Sequence, residues 1–202
     1  MRLLPATGFR HMPWKNGGGV TTEIAVHPPN AGLDGFDWRL SMARVAEPGP
    51  FSAFAGIDRS LAVLEGVGLI LDGVACTPVL LTPESAPFAF PADIPVSGHL
   101  TGGPILDLNL MTRRDRCRHR LERLDLTAEG RRIAVTSGET AILLAVGGRL
   151  RVEPLALGTG GGLILERGDA ALVDGEFHLG PEAGGEGRVR AYLATVRPLP
   201  IE

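Results

Sequence analysis

Length, composition and charge exclude several classes of protein. The chain has 202 residues, of which 28 are glycine and 16 are proline. These helix-breaking residues disfavour a helix bundle and favour short strands joined by turns. The formal net charge of −3 gives no reason to expect nucleic acid. No apolar run approaches the roughly 20 residues that span a bilayer, and the first eight residues lack the core of a signal peptide. We therefore predict a cytoplasmic protein without a membrane partner.

The first distinctive segment is residues 13–21, PWKNGGGVT, which contains the only lysine of the chain, Lys15. Glycines let the backbone approach a bound group closely, and the ammonium and the amide of Asn16 add a charge and a polar group. We interpret the segment as the wall of a pocket for an anionic or carbonyl-bearing small molecule. The alternative is a glycine-rich turn in which Trp14 packs into the core.

Short strands separated by glycine and proline follow along the chain. They are predicted at residues 20–26, 37–45, 60–64, 69–71, 77–81, 86–90, 105–111, 131–135, 140–146, 149–152, 162–166, 170–173 and 189–196. The clearest alternation of apolar and polar residues is in 37–45, which predicts a strand with two unlike faces. The tight connection at 65–68 predicts a hairpin between 60–64 and 69–71.

Polar residues are grouped on or beside three of these strands. They are Arg39 and Ser41, Asp58 and Arg59, and Asp107 and Asn109. Aspartate and asparagine are depleted in strand interiors, and here Ile105 and Met111 bracket them on the same face. If buried, they need hydrogen-bonding partners, which Arg39, Lys15 or a ligand would supply. The alternatives are a solvent-facing edge strand for Arg39 and Ser41, and an ordinary turn and ion pair for Asp58 and Arg59.

A weak internal repeat favours two similar halves. Residues 64–71 and 145–152 both read as an apolar strand, a glycine turn and an apolar strand, and each is followed by an aspartate-centred turn. Glycine hairpins of this kind are typical of small antiparallel jelly-roll barrels of the cupin type. We therefore predict an all-β bicupin, with two antiparallel jelly-roll barrels packed together in one compact unit and little helix. The predicted halves are residues 1–114, carrying the pocket, and 115–202.

Metal and cofactor motifs are missing. The five histidines are scattered, so no H-x-H cluster exists, and the two cysteines, Cys76 and Cys117, are too far apart to form a metal knuckle. No P-loop, nucleophile elbow or dinucleotide fingerprint is present. We predict no metal and no cofactor. Residues 113–123 carry seven basic side chains including His119, and we interpret them as a solvated strand rather than as a docking site.

Six segments, in order, resemble the HutD/Ves family. They are residues 13–21 (PWKNGGGVT), 36–41 (FDWRLS), 49–52 (GPFS), 56–59 (GIDR), 64–66 (LEG) and 107–111 (DLNLM). The resemblance covers residues 9–114, and the C-terminal half matches only in strand rhythm and length. It implies a metal-free bicupin, commonly a homodimer. For HutD-like members it implies a role alongside histidine utilisation and binding of an intermediate such as N-formylglutamate. Ves-like members are associated instead with stress or cold responses.

The residues and the resemblance together predict a ligand site for a small carboxylate. Its predicted members are Trp14, Lys15, Asn16, Gly17, Gly18, Thr21, Arg39, Ser41, Asp58, Arg59, Asp107 and Asn109. Arg39 or Arg59 would bind a carboxylate bidentately, and Asp107 would orient an arginine. Binding or regulation is favoured over catalysis, and no catalytic residue is assigned. The alternatives are an isomerase or epimerase acting on a small acid, and a partner-binding scaffold.

Overall fold

The computed structural model describes residues 1–14, 19–156, 161–182 and 189–200. These residues form antiparallel strands and one 3-10 turn, Ala6–Gly8, with no α-helix among them. The all-β prediction is confirmed. Lys15, Asn16, Gly17 and Gly18 of the predicted pocket wall lie outside the described residues.

The described residues contain 19 strands. In chain order they are β1 Arg2–Leu4, β2 Arg10–Pro13, β3 Gly19–His27, β4 Trp38–Val45, β5 Gly49–Pro50, β6 Ile57–Glu65, β7 Leu69–Asp72, β8 Val79–Leu81, β9 Phe88–Pro91, β10 Ser97–Leu100, β11 Ile105–Arg113, β12 Cys117–Leu126, β13 Arg131–Ala134, β14 Thr140–Gly147, β15 Leu150–Pro154, β16 Leu163–Leu165, β17 Ala170–Val173, β18 Glu176–Pro181 and β19 Val189–Pro198.

The chain divides into two compact units. One contains Met1–Gly8 and Arg120–Pro198, and the other contains Phe9–His119 with the last described residues, 199–200. The N-terminal strand β1 belongs to the first unit because it pairs antiparallel with β17, Leu3 lying opposite Ala171. Strand β12 carries the chain from the second unit into the first.

Each unit is built from two sheets with an apolar core. The unit with residues 9–119 has a six-stranded sheet, β2-β3-β4-β11-β6-β9, and a four-stranded sheet, β5-β10-β7-β8. Side chains from both sheets form its main core, for example Leu61 and Val63 of β6 with Leu69 and Leu71 of β7. The other unit has sheets β1-β17-β14-β19-β12 and β13-β18-β15-β16, whose core includes Leu143 and Leu150.

The glycine connections of the two units are corners between sheets, so the predicted hairpin is wrong. Strand β6 pairs with β11 and β9, whereas β7 pairs with β10 and β8. The equivalent connection after β14 leads from one sheet of the other unit to β15 in its second sheet. A tight glycine turn permits either geometry, and here the apolar residues on both sides enter one core between the sheets. Both units nevertheless have such a corner between their two sheets, so the sequence repeat corresponds to a repeat in the architecture.

Gly66 at the first corner is expected to be intolerant of substitution. Its φ is +99°, and a Cβ placed there would lie 2.7 Å from the carbonyl oxygen of Pro104 and 2.8 Å from Ile105. We expect Gly66→Ala to lower the free energy of unfolding by about 1–3 kcal/mol, because the backbone conformation and the contact are both unfavourable. Urea denaturation would measure this loss. Gly103→Ala is the matched control for the positive φ alone, since nothing lies within 4 Å of its Cβ position. Equal losses in both variants would contradict the steric part of the explanation.

Candidate polar ligand site

The strand register places most of the predicted polar residues on one face of the six-stranded sheet. Directly paired residues of antiparallel strands share a face. One row aligns Thr21, Ala43 and Asp107, the next aligns Glu23, Ser41, Asn109 and Leu61, and a third aligns Arg39, Met111 and Arg59. Strand pairing therefore aligns these side chains on the face that the predicted alternation gives them. We call the polar residues of the three rows the polar band: Thr21, Glu23, Arg39, Ser41, Arg59, Asp107 and Asn109.

This polar band lies between two apolar clusters. Val45, Ile105 and Val63 continue the same face on one side and belong to the main core of the unit. Ile57 and Met111 belong to a smaller cluster on the other side, which includes the fully buried Phe36. Arg39, Ser41, Arg59, Asp107 and Asn109 are all buried. Arg39 and Ser41 thus do not face solvent, and a few polar groups converge within an apolar surround, which is the usual composition of a small-molecule site.

Arg39 forms a buried ion pair with Glu23. Its Nε donates to Glu23 Oε2 at 2.7 Å, and the two side chains are only 8% and 11% exposed. A buried pair of this kind neutralises both charges within the sheet face. Glu23 was not predicted to be part of the site, although it lies two residues after Thr21 on the same predicted strand. A register shift between Glu23 and Ala25 sets its position opposite Ser41.

Arg59 is buried without an ion pair to any described residue. Within the described ranges its Nε has no hydrogen-bond partner, and its Nη2 lies 3.8 Å from the sulfur of Met111. Three phenylalanine rings surround the guanidinium carbon at 5.4–5.9 Å from their centroids: Phe51, Phe54 and Phe90. Burial lowers the pKa of Arg59 to about 10, an effect that Asp107 opposes and Arg39 reinforces. The guanidinium therefore remains positively charged at neutral pH.

Asp107 is the most deeply buried charged residue of the band. Its Oδ1 accepts hydrogen bonds from the backbone N–H of Ala43 at 3.2 Å and from Asn109 Nδ2 at 2.6 Å. Its Oδ2 has no hydrogen-bond partner in the part of the chain that the structure describes. Burial raises the pKa of Asp107 to about 7, although Arg59 and both hydrogen bonds act in the opposite direction. Within the described residues Asp107 forms no hydrogen bond to an arginine, although its charge interacts with that of Arg59.

Trp14 and Thr21 border the band next to the glycine-rich segment. Trp14 Nε1 donates to Thr21 Oγ1 at 2.8 Å, and the Trp14 ring packs against the main core of the unit. Its backbone N–H donates to the carbonyl of Gly19. Trp14 therefore has the core contact of the alternative interpretation and, through Thr21, a connection to the polar band.

Asp58 lies away from these residues. It precedes Arg59 directly on β6, so its side chain is on the opposite face of the sheet. There it accepts a hydrogen bond from Arg114 Nε at 2.7 Å, and Arg114 also pairs with Asp93 at 3.0 Å. The basic run is largely paired within the chain in the same way, as Arg116 binds Asp37 and Arg113 donates to the carbonyl of Phe36.

His119 is a partly buried histidine on that opposite face, and both of its ring nitrogens have hydrogen-bond partners. Its Nδ1 is 2.6 Å from Thr112 Oγ1, and its Nε2 is 2.9 Å from Ser60 Oγ. Burial lowers the pKa of His119 to about 4, so the ring is neutral at pH 7, with one nitrogen donating and the other accepting. No three His, Cys, Asp or Glu side chains within the described ranges are grouped as a metal site would require. Those ranges also contain no helix with the length and hydrophobicity of a membrane span.

Several residues that shape the band are not among the residues predicted from the sequence. Phe51 and Phe54 lie outside the long strands, so no periodicity assigns them a direction, and Phe90 reaches Arg59 only because β9 pairs with β6. Met111 is predicted only as an apolar residue that brackets Asn109. The one feature of the sequence that points to the phenylalanine rings is a phenylalanine-containing turn directly before the strand that carries Arg59.

Comparison with known proteins identifies the family of this chain. The HutD family model matches residues 6–191. The chain belongs to the HutD family. It is 41% identical over 189 residues to an uncharacterised 21.2 kDa protein in the hutC 3′ region of Pseudomonas putida, covering 89% of this chain and 95% of that protein. It is 44% identical over 124 residues to protein Ves of Citrobacter koseri, covering 59% of this chain and 63% of Ves.

Solved structures support the same family and fold. A conserved protein of unknown function from Pseudomonas aeruginosa PAO1 has a TM-score of 0.84 at 32% identity, covering 97% of this chain and 98% of that one. HutD from Pseudomonas fluorescens SBW25, solved in a formate condition, has a TM-score of 0.79 at 32% identity, covering 98% of both chains. AerE from Microcystis aeruginosa has a TM-score of 0.67 at 9% identity and covers 96% and 98% of the two chains, which shows the fold alone. The predicted HutD/Ves resemblance and bicupin fold are confirmed.

Proposed function

We propose that this HutD-family protein binds a small carboxylate in the polar band and acts as a regulatory sensor rather than as an enzyme. The observation that carries the proposal is Arg59, a buried guanidinium with a hydrogen-bond donor that no described group accepts. A buried donor without an acceptor is costly, and an anionic ligand would supply the acceptor. The carboxylate is the natural partner of the guanidinium fork.

Arg59 is favoured over Arg39 as the carboxylate-binding residue. Glu23 already binds the Nε of Arg39 and neutralises its charge. By contrast, the three phenylalanine rings around Arg59 keep water away without satisfying its N–H groups. In such an environment a charge-assisted hydrogen bond is stronger than at the surface. Lys15 and Asn16 remain proposed members of the site, as a second positive charge and an amide.

The relatives suggest which carboxylate to test first. A relative 41% identical to this chain is described by its position in the hutC 3′ region, and a solved relative is called HutD. We propose histidine utilisation as the pathway and N-formylglutamate as the first candidate ligand. Its two carboxylates suit Arg59 and Lys15. The Ves relatives represent a second branch of the family, for which we propose a different small acid as the ligand.

A thermal-shift screen would test the proposal directly. The purified full chain would be melted with urocanate, N-formylglutamate, glutamate and other small acids. A ligand at 100 times its Kd stabilises the folded state by about 2.7 kcal/mol, which raises Tm measurably. Any acid that raises Tm would then be incubated with the protein and checked for turnover. If no acid raises Tm at millimolar concentration, the sensor proposal fails and the partner-binding scaffold becomes the better explanation.

We expect Arg59→Met to weaken carboxylate binding by about 10- to 100-fold, since a hydrogen bond to a charged group contributes about 1.5–3 kcal/mol. Arg59→Lys should retain part of the affinity, because it keeps the charge but loses the bidentate geometry. Isothermal titration calorimetry with the acid found in the screen would measure both. Arg44→Gln is the matched control: Arg44 is exposed and lies on β4 with its side chain on the other face. Unchanged affinity in Arg59→Met would remove Arg59 from the site.

An isomerase or epimerase is the second candidate function, and Asp107 is the observation that favours it. A carboxyl group with a pKa of about 7 is suited to general acid–base catalysis at neutral pH. A histidine close to the predicted pocket wall, His11, is exposed, and its Nδ1 lies 2.9 Å from Thr22 Oγ1. An acid that raises Tm would be tested for turnover by the wild-type protein and by Asp107→Asn. Turnover by the wild type that is abolished in the variant would establish an enzyme and contradict the sensor proposal.

A further inference from the structure

Two polar atoms on the same face of the sheet lack hydrogen-bond partners among the described residues. They are the Nε donor of Arg59 and the Oδ2 acceptor of Asp107. Both side chains are buried, at 5% and 0% exposure, and they lie on the adjacent strands β6 and β11. Each buried donor or acceptor that is left without a hydrogen-bond partner costs about 1–3 kcal/mol. A ligand that presents an acceptor and a donor would satisfy both atoms at once.

The orientation of the Asp107 carboxyl group is already set by its other oxygen. Oδ1 accepts from the Ala43 backbone N–H and from Asn109 Nδ2, which anchors the group to β4 and to its own strand. Burial raises the pKa of Asp107 to about 7, while these two donors and the positive charge of Arg59 act in the opposite direction, so the ionised form predominates above pH 7. An ionised carboxylate is an acceptor only. Above pH 7, Oδ2 therefore requires an N–H or O–H group.

We propose that the ligand carries, besides the carboxylate bound by Arg59, a hydrogen-bond donor that Asp107 Oδ2 accepts. The inference rests on the proposed function, in which this site binds a small carboxylate. The chemical class is an acid with an amide N–H or a hydroxyl group near the carboxylate, namely an N-acylamino acid or a hydroxy acid. Asp107 is thus a specificity-determining residue.

Acids without a donor should bind poorly for a physical reason. A keto oxygen placed against Oδ2 would set two acceptors against each other, and a methylene group would leave Oδ2 buried and unsatisfied. A site built to hydrogen-bond a ligand group rejects analogues that lack it much more strongly than an apolar pocket rejects a missing methylene group. We expect a preference of about 10-fold or more for the donor-bearing acid.

Three acids with one five-carbon skeleton would isolate this preference. The probes are 2-hydroxyglutarate, which has a donor, 2-oxoglutarate, which has only an acceptor, and glutarate, which has neither; N-formylglutamate is added as the amide. Calorimetry at pH 8, above the Asp107 pKa of about 7, should give tighter binding of N-formylglutamate and 2-hydroxyglutarate than of the other two. Equal affinity for 2-hydroxyglutarate and 2-oxoglutarate would overturn the inference without requiring any variant.

Asp107→Asn provides the complementary measurement. Asparagine keeps an acceptor for Ala43 and Asn109 but presents an NH₂ group where Oδ2 was, so the preference between the hydroxy and the oxo acid should disappear or reverse. Circular dichroism and Tm would establish that the variant is folded. A preference unchanged in the folded variant would overturn the role of Asp107.

The same measurements separate this inference from the proposed function. If no acid binds the wild-type protein, or if binding is insensitive to Arg59→Met, the carboxylate site itself is wrong. If acids bind in an Arg59-dependent way but with no preference for a donor, only the inference about Asp107 is wrong.

Discussion

Replacing Arg39 with methionine is expected to lower the free energy of unfolding by about 3–5 kcal/mol, the usual cost of removing one partner of a buried ion pair. The reason is Glu23, which would keep its charge while 11% exposed and without the guanidinium that now lies 2.7 Å away. Urea denaturation at neutral pH would measure the loss. The m value, which is the dependence of the unfolding free energy on urea concentration, should equal that of the wild type.

A double-mutant cycle distinguishes the ion pair from simple loss of packing. Combining Arg39→Met with Glu23→Leu removes both charges, and we expect the double variant to recover at least about 2 kcal/mol of the loss. Arg149→Met is the matched control, since the side chains of its ion pair with Glu166 are 56% and 60% exposed and the pair should contribute less than about 1 kcal/mol. If Arg39→Met costs no more than Arg149→Met, the buried pair does not have the stabilising role assigned to it.

This structural role changes how an Arg39 variant should be read. The sequence predicts that Arg39→Ala weakens carboxylate binding by about 1.5–3 kcal/mol, but the same change would also leave Glu23 buried and unpaired. Lost binding could then reflect a disturbed sheet face. Arg59 is the more informative position, because no described residue forms an ion pair with it.

The polar band could be predicted from the sequence because strand alternation is a local property. Arg39 and Ser41 on one strand and Asp107 and Asn109 on another each obey a period of two, and the hydrophobic pattern then determines which way the strands face. The same rule argues against grouping Asp58 with Arg59, since neighbouring residues on a strand point to opposite faces. The structure places Asp58 with Arg114 on the opposite face.

Other features depend on contacts between distant residues, which leave no local pattern. The pairing of β1 with β17 joins residues about 170 positions apart, and the phenylalanine rings around Arg59 come from two loop positions and a strand. A glycine turn such as that at Gly66 is also locally compatible with either a hairpin or a corner between sheets. Only the packing of the strands on both sides decides between them.

The second large effect concerns Asp107 and pH. Between pH 4 and pH 7 the native state retains a proton on Asp107, whose pKa is raised by burial to about 7, while the unfolded chain releases it near the ordinary value of 3.8. The native state therefore binds more protons in this window, and stability falls as pH rises. Integrated over the window, Asp107 should remove about 4 kcal/mol of the free energy of unfolding by pH 8.

Asp107→Asn isolates this contribution, because the variant shares every other titrating group with the wild-type protein. The variant's free energy of unfolding minus that of the wild type should rise steadily from pH 4 to pH 7 and level off above pH 7. Urea denaturation across the range would give the difference, and the carbon-13 NMR shift of the Asp107 carboxyl group should titrate with a midpoint near 7. A difference that stays constant with pH would show that Asp107 ionises alike in the folded and unfolded states. Its surroundings would then already stabilise the carboxylate, without a ligand donor at Oδ2.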